Sequence, residues 1–352
     1  MSLVNPTRLR WAVPAVVATA VAVTVAVSSS SASAAPQDLS PRTADELLTD
    51  LASSTTTALS GTVQETSALG LPELPASATG ALGPMTLATG THTLQVATDG
   101  PDKTRVALLG QLAEYDVVRS GSDVWTYTAE GNTATHYVLP ARPAHAAPTL
   151  PAGLPSTPAE AAAAVLAAVG PTTEVGVDDA VTVAGRAARQ LVVTPRDTSS
   201  LVGSVKIAVD AVTSVPLRVQ VFAAGAATPA LEVGFTDVSF TTPDAATFAF
   251  TPPAGAAVTT TPVTVPVHAD RPATTGGPTR PTVLGTGWTS IVELSGVDVA
   301  ALTTSQPQLL DQLTTKVAGG RLLSTALVSV LLTNDGRLLV GAVTPEALQA
   351  AA

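Results

Sequence analysis

The stretch RQLVVTPRDTSSLVGSVKIAVDAVTSVPLRVQVF, from Arg189 to Phe222, contains the pattern that decides the fold. Apolar residues recur at every second position in Val205-Ile207-Val209 and in Leu217-Val219-Val221, and a short β-branched run lies between Gln190 and Thr194. A period of two indicates strands with one apolar face. Polar and proline-containing turns between the runs indicate that the strands follow one another as an antiparallel sheet.

The same pattern continues on both sides of this stretch. Leu231-Val233-Phe235 leads into Val238-Phe240, and the apolar phase slips by one residue between Phe235 and Val238. Such a slip is expected of a bulge in a curved sheet. Further strands are expected at Val181–Val183 and repeatedly between Leu59 and Leu139. In this last region three runs place large side chains on one face: His92-Leu94-Val96, Tyr115-Val117 and Trp125-Tyr127.

Two helices are expected beside the sheet. Thr43 and Glu46 have the spacing of a capping box, which predicts a helix from about Ala44 to Ser53. A second helix is expected after Pro158, because Thr157 is a good N-cap, proline suits the first helical position, and Gly170 is a terminator.

Apolar residues that could cover the sheet lie in two segments. The alanine-rich second helix carries Val165, Leu166 and Val169, and a Pro- and Gly-rich loop carries Leu71 and Leu74. We expect these five residues to form a lid or plug.

The chain is expected to have four parts. They are a signal peptide at 1–34, a curved-sheet domain at 35–261, a Pro-, Thr- and Gly-rich linker at 262–281, and a small α/β domain at 282–352. The elements expected in the last part are a strand at Trp288–Leu294, a helix at Gln308–Val317, a long strand at Leu322–Leu332, a turn at Asn334-Asp335-Gly336, a strand at Leu338–Val343 and a short helix from Pro345.

The first 34 residues have the layout of an export signal. Arg8 and Arg10 precede an apolar run of 17 residues from Trp11 to Val27, and Ala32-Ser33-Ala34 follows as a cleavage site. The run is at the lower limit of a membrane span, so an uncleaved anchor is the alternative. Either reading places the rest of the chain outside the cytoplasm.

Composition excludes several classes of function. The net charge is −10 and cysteine is absent. The acidic balance argues against nucleic acid as a partner and against binding of an anionic membrane through a polybasic patch. Without cysteine there is no disulfide, thiolate metal site, thiol nucleophile or lipid-modified N-terminal residue.

No catalytic or metal-binding motif is found. The four histidines, His92, His136, His145 and His268, do not have metal-ligand spacing, and no nucleophile elbow, phosphate-binding loop or dinucleotide fingerprint occurs. We therefore expect no enzyme activity, no cofactor and no metal.

The fold-deciding stretch resembles a segment of LolA-like and MucB/RseB-like envelope proteins. In those proteins a Leu-x-x-x-Pro strand leads to Asp-x-x-Thr-x-x-Pro-Leu-Arg, and here the corresponding positions are Leu191, Pro195, Asp210, Thr213, Pro216, Leu217 and Arg218. Phe235 to Val258 looks like the sheet-closing end of the same fold, and the last 70 residues weakly resemble the second domain of RseB-like proteins.

The resemblance implies a mainly β fold, in which a curved antiparallel half-barrel with plug helices is followed by a small α/β domain. It also implies a non-enzymatic carrier that holds the acyl chain of a lipid or lipoprotein on the concave apolar face. The residues expected to line the cavity are Leu94, Val96, Trp125, Tyr127, Val193, Ile207, Val209, Val219 and Val221.

Two alternatives stay open at this stage. One is a regulatory sensor of the RseB type, in which residues 282–352 bind a membrane-bound anti-sigma factor or another envelope protein. The other is a structural wall-associated protein with a filled core, since patterning cannot distinguish a cavity from a core. Trp125 and Tyr127 in particular could be core residues.

Overall fold

Strands dominate the chain and form two sheets. The structure, a computed structural model, has 53% strand and 13% helix, and it describes residues 39–72, 87–110, 114–140, 170–263, 281–297, 299 and 307–352. The expected mainly β fold with a large curved sheet is confirmed, and the sheet does not close into a barrel. Part of the expected linker, 264–280, and the expected signal peptide lie outside the described residues.

The large sheet has twelve strands. Its spatial order is β12-β6-β5-β4-β3-β2-β1-β11-β10-β9-β8-β7. All neighbours are antiparallel except β12 and β6, which are parallel. The strands are β1 Ala58–Ser67, β2 Gly90–Asp99, β3 Lys103–Leu109, β4 Glu114–Ser120, β5 Asp123–Thr128, β6 Thr133–Val138, β7 Thr173–Val183, β8 Arg186–Pro195, β9 Val202–Asp210, β10 Pro216–Ala223, β11 Pro229–Ser239 and β12 Ala257–Pro262.

The edge strand β12 was not expected, because its sequence lies in a Thr- and Pro-rich stretch without alternation. All six of its residues are exposed, so neither face of the strand needs an apolar side chain. The strand includes Pro262, which was expected to belong to the linker. Proline is tolerated there because an edge strand leaves one row of backbone groups unpaired.

The expected bulge is present in β11. Thr62 is opposite Asp237 and Val63 is opposite Phe235, so the register skips Thr236. At this point the two backbones approach closely, because a Cβ at Gly61 would lie 2.4 Å from the Asp237 carbonyl oxygen. The predicted phase slip between Phe235 and Val238 is therefore confirmed.

The sheet curls strongly at its β7 end. Three strands separate β7 from β11, and yet the two strands contact one another. Val181 and Val183 of β7 belong to the same hydrophobic cluster as Phe235 and Val238 of β11. Curvature of this kind allows one face of the sheet to become an interior.

The first helix, α1, spans Ala44–Ser53 as predicted. The Glu46 amide donates to Thr43 Oγ1, and the Thr43 amide donates to Glu46 Oε2 at 2.8 Å. Leu47 is the buried residue of this helix. The second expected helix, 158–169, lies outside the described residues.

The small sheet has six antiparallel strands in the order β13-β14-β18-β17-β16-β15. Helices α2, Pro307–Leu313, and α3, Pro345–Ala350, belong to this part of the chain. The strands are β13 Thr282–Leu284, β14 Ile291–Ser295, β15 Thr315–Val317, β16 Gly320–Ser324, β17 Ser329–Thr333 and β18 Arg337–Gly341. The predicted final turn, final strand and short last helix are thus present.

Three expectations for the small sheet are wrong in detail. Trp288 lies in a 3-10 turn and β14 begins only at Ile291. The helix expected to reach Val317 ends at Leu313, and Thr315–Val317 pair as β15. The expected long strand Leu322–Leu332 is a hairpin, β16 and β17, which turns at Thr325.

The turn at Thr325 explains why one long strand was predicted at Leu322–Leu332. Thr325 Oγ1 accepts hydrogen bonds from the amides of Leu327 and Val328, and this closes the turn locally. Leu327 is buried against the large sheet, so the turn has an apolar residue at its tip. The sequence consequently shows an uninterrupted apolar run where the chain reverses.

Candidate functional site: the apolar face of the large sheet

The pairing register divides the large sheet into two faces of different chemistry. We use the name apolar face for the one that carries Val63 and Leu94, which are opposite one another on β1 and β2. Cross-strand pairs extend this face to Leu108 on β3 and to Val233, Val219 and Ile207 on β11, β10 and β9. The polar face carries the alternate residues, among them Gln64, Gln95, Gln190, Lys206 and Gln220.

Seven of the nine predicted cavity residues lie on the apolar face. They are Leu94, Val96, Val193, Ile207, Val209, Val219 and Val221. Alternation along single strands predicted this correctly because no bulge interrupts β2 or the central part of β8 to β10.

Trp125 and Tyr127 are on the polar face, so the prediction that all nine residues share one face is wrong. Val117 of β4 lies on the apolar face, and its partner on β5 is Thr126, which places the neighbouring Trp125 and Tyr127 on the other side. Alternation within β5 could not reveal this, because only the register across four strands relates β5 to β2.

The two aromatic residues pack among other rings on the polar face. Trp125 stacks on His136 with centroids 4.2 Å apart, and Phe250 lies 5.4 Å from Trp125 and 5.9 Å from Tyr127. His136 Nε2 is 2.7 Å from Asp123 Oδ1. Phe250 comes from the segment after β11, which crosses this face before β12. Trp125 and Tyr127 are therefore partly buried members of an aromatic group on the polar face.

Half of the apolar face is covered by the small sheet. Leu327, at the tip of the β16–β17 turn, is buried in one cluster with Val202, Val205, Val221 and Ala230. Trp288 and Ala326 pack against the same cluster, as do three of the predicted cavity residues, Val193, Ile207 and Val219. The part of the apolar face on β8 to β11 is thus an interface between the two sheets.

Hydrogen bonds hold this interface in one register. The Leu201 amide donates to the Ala342 carbonyl at 2.8 Å, beside an isolated bridge between Ser200 and Val343. The Ala326 amide donates to the Leu69 carbonyl at 2.9 Å, and Trp288 Nε1 donates to Thr173 Oγ1 at 2.8 Å. Both ends of the contact are therefore fixed by directional bonds.

The other half of the apolar face, on β1 to β4, has a different environment. Val63, Leu94, Val96, Leu108 and Val233 form its buried cluster. The residues packed against this cluster come from the sheet itself, with Leu87 as the one exception within the described ranges; they are Leu59, Leu87, Val106, Tyr115 and Phe235. Unlike the β8 to β11 half, this half has no counter-layer from the described part of the small sheet.

Glu65 is an unexpected member of the apolar face. It lies opposite Val233 of β11 and His92 of β2, and only 6% of its surface is exposed. Neither carboxylate oxygen has a hydrogen-bond partner. Burial raises the pKa of the Glu65 carboxyl to about 7. Glu65 was not predicted as a site residue, although its position in phase with Val63 was a visible signal.

The predicted lid residues can be placed only in part. Leu71 is partly buried at the end of the described stretch that follows β1. Leu74, Val165, Leu166 and Val169 lie outside the described residues.

A depression of about 420 Å³ opens on the polar face around β1 to β3. Its lining includes the small residues Ser60, Ala97 and Ala107 and the charged residues Arg105 and Asp237. Arg105 is already engaged, because its Nη2 donates to Asp116 Oδ2 at 2.7 Å. This depression therefore offers a ligand no free cation from Arg105.

The described ranges contain no metal-binding cluster and no membrane-spanning helix. No three His, Asp or Glu side chains there come together as a metal site. No helix in the same ranges has the length and apolar character needed to cross a membrane. His92 Nε2 lies 2.7 Å from the Thr89 carbonyl oxygen, while His145 and His268 lie outside the described residues.

Comparison with known proteins found similar solved structures. No protein-family model and no curated protein matches the chain. The chain is similar to the MucA/MucB complex of Pseudomonas aeruginosa, at 16% identity and a TM-score of 0.45, over 87% of this chain and 96% of that one. The chain resembles MucB-type and LolA-superfamily structures. The resemblance to these two groups that was inferred from the sequence is confirmed.

Two structures represent the LolA side of the comparison. A LolA superfamily protein from Nitrosomonas europaea is 12% identical with a TM-score of 0.24, over 60% of this chain and 99% of that one. A putative outer membrane lipoprotein-sorting protein domain from Vibrio parahaemolyticus is 11% identical with a TM-score of 0.23, over 58% and 95%.

Proposed function

We propose that this chain is a non-enzymatic extracytoplasmic protein that binds the acyl chain of a lipid or lipidated protein on the β1 to β4 half of its apolar face. One observation carries the proposal. Among the described residues, only strand residues of the large sheet and Leu87 pack against the cluster around Val63, Leu94 and Leu108, while the small sheet covers the β8 to β11 half through Leu327 and its neighbours. The covered half closes one end of the site, and the other half accepts the ligand.

Apolar burial would supply the affinity. Each methylene group transferred from water contributes roughly 0.8 kcal/mol, so binding should strengthen steadily with acyl length. The lid residues Leu71, Leu74, Val165, Leu166 and Val169 would move aside when a ligand enters. Export through residues 1–34 would bring the chain to the cell envelope, where such ligands occur.

Native mass spectrometry of the full chain purified from its own envelope fraction tests the proposal directly. Organic extraction should release a lipid or an acylated peptide. A chain that carries nothing and takes up no added fatty alcohol would contradict the proposal.

A pair of matched variants tests the location of the site. Val106 and Val192 are both partly buried strand residues of the large sheet, on the apolar and the polar face respectively. We expect Val106→Asp to weaken uptake of a fluorescent fatty-acid analogue by about tenfold or more, because a carboxylate must then be buried beside the ligand. Val192→Asp should leave uptake nearly unchanged. Equal losses of uptake in the two variants would contradict the location of the site on the apolar face.

A regulatory sensor with a protein partner is the second candidate. It is favoured by the contact between Leu327 and the apolar face, because a partner bound to the small sheet could alter the neighbouring ligand site. The partner would be a membrane-bound envelope protein such as an anti-sigma factor. Cross-links from residues 282–352 to one envelope protein, in a chain that carries no lipid, would favour this candidate over the carrier.

A further inference from the structure

Glu65 differs from the other deeply buried acidic residues of the large sheet. Asp116 is 3% exposed and Asp210 is 2% exposed, and each is paired with an arginine, Arg105 and Arg186. Glu65 is buried to a similar degree and has neither an ion pair nor a hydrogen bond. Burial of a carboxyl group without a hydrogen-bond partner costs free energy. A hydrogen-bond donor supplied by the ligand would remove this cost.

We propose that the ligand of the apolar face carries a cationic amine next to its acyl chain, and that the Glu65 carboxylate binds this amine. The inference rests on the acyl-binding function proposed above and adds the chemistry of the headgroup. Glu65 lies between the Val63 cluster and the Leu327 cluster, where an acyl chain on β1 to β4 would end. An ammonium group supplies both N–H donors and the opposite charge.

The surroundings of Glu65 disfavour an anionic headgroup. Strand β1 and its two neighbours, β2 and β11, contain no lysine or arginine. A phosphate or carboxylate beside Glu65 would therefore meet a like charge without a compensating cation from these strands. An uncharged hydroxyl could donate one hydrogen bond, but it would leave the charge of the carboxylate unbalanced.

His92 is the other titratable residue on this face of β1, β2 and β11. It is directly opposite Glu65, and its Nε2 lies 2.7 Å from the Thr89 carbonyl oxygen, to which it must donate. The ring is therefore held by a backbone group and makes no hydrogen bond to Glu65. At low pH, protonation of the Glu65 carboxylate would remove its attraction for the ligand amine.

Three probes with the same alkyl chain separate headgroup recognition from apolar burial. Dodecylamine and dodecanoate are titrated into the full chain below their micellar concentrations, and dodecanol is titrated below its solubility limit. At about pH 8, where Glu65 is charged, we expect dodecylamine to bind about tenfold more tightly than dodecanol and dodecanoate to bind more weakly than both. The preference for the amine should disappear at about pH 5.5 as Glu65 becomes protonated.

Glu65→Gln is the decisive variant. It should lower the affinity for dodecylamine to that of dodecanol and leave the affinity for dodecanol within about twofold, since only the charge is removed. Glu232→Gln is the matched control, because Glu232 lies on the polar face of the adjacent strand β11. This control should keep the full preference, which excludes a general effect of the acidic surface.

Each outcome has a defined meaning. Equal affinity for the amine and the alcohol in the natural chain, or a preference that survives Glu65→Gln, overturns the headgroup assignment while dodecanol binding still supports the acyl site. Failure of all three probes to bind overturns the acyl site as well. A preference lost in Glu65→Gln and kept in Glu232→Gln supports the assignment.

Discussion

At the scale of single residues, Glu65 should make the free energy of unfolding fall as pH rises. Its pKa is raised by burial to about 7, above the value of a glutamate in the unfolded chain. The folded state therefore binds the proton more tightly than the unfolded state. The resulting stabilisation is full below about pH 4 and is lost as pH rises to about 7.

Glu65→Gln should abolish this loss. Between about pH 4 and pH 7 the natural chain should lose on the order of 3 kcal/mol in free energy of unfolding through this residue, and the variant should not. Denaturant titrations of both proteins at a series of pH values measure the difference. Curves that stay parallel across this range would show that Glu65 is ionised in the folded state at no cost.

At the scale of elements, the β9–β10 turn shows why a short motif can mark a fold. Asp210 Oδ1 accepts hydrogen bonds from the amides of Val212 and Thr213, and both its oxygens accept from the Arg186 guanidinium. Burial alone would raise the pKa of Asp210, but the hydrogen bonds from Arg186, Thr213 and Val212 outweigh it and hold the pKa below its usual range. The Asp-x-x-Thr spacing is thus the spacing of a closed turn.

Asp210→Asn should destabilise the chain by about 3–5 kcal/mol, because it leaves the Arg186 charge without its buried partner. Asp178→Asn is a suitable control, since Asp178 pairs with Lys206 in a half-exposed position, where the cost should be below about 1 kcal/mol. Equal costs in thermal or denaturant unfolding would contradict the buried role. The stabilisation by Asp210 is present above about pH 4 and is lost as pH falls through its lowered pKa.

Other elements show where local patterns succeed and fail. The capping box at Thr43 and the bulge at Thr236 were predicted, because both depend on neighbouring residues or on the phase of one strand. The turn at Thr325 and the strand β12 were not predicted. The first has a buried apolar tip and the second is exposed on both faces, so each lacks the polarity pattern that normally marks such an element.

At the scale of the whole molecule, Leu327 joins the two sheets. Leu327→Ala should cost about 2–4 kcal/mol, because it opens a cavity in the cluster with Val202, Val205 and Val221. Hydrogen exchange should accelerate at the Leu201 and Ala326 amides, whose bonds cross the interface.

The control for Leu327 is Val212→Ala, since Val212 is apolar and 83% exposed and its loss should change stability by less than about 0.5 kcal/mol. A Leu327→Ala chain with unchanged exchange at Leu201 would show that the hydrogen bonds hold the interface without the apolar contact.

The sequence by itself determined most strands of the large sheet, the first helix, the bulge and the membership of seven apolar side chains in one face. These follow from alternation, capping and chain direction, which act over a few residues. Only the tertiary structure decided that Trp125 and Tyr127 lie on the other face, that the small sheet covers the β8 to β11 half of the apolar face, and that Glu65 is left buried without a partner. The physical reason is that register across several strands and contacts between sheets join residues far apart in the chain, and no local pattern encodes them.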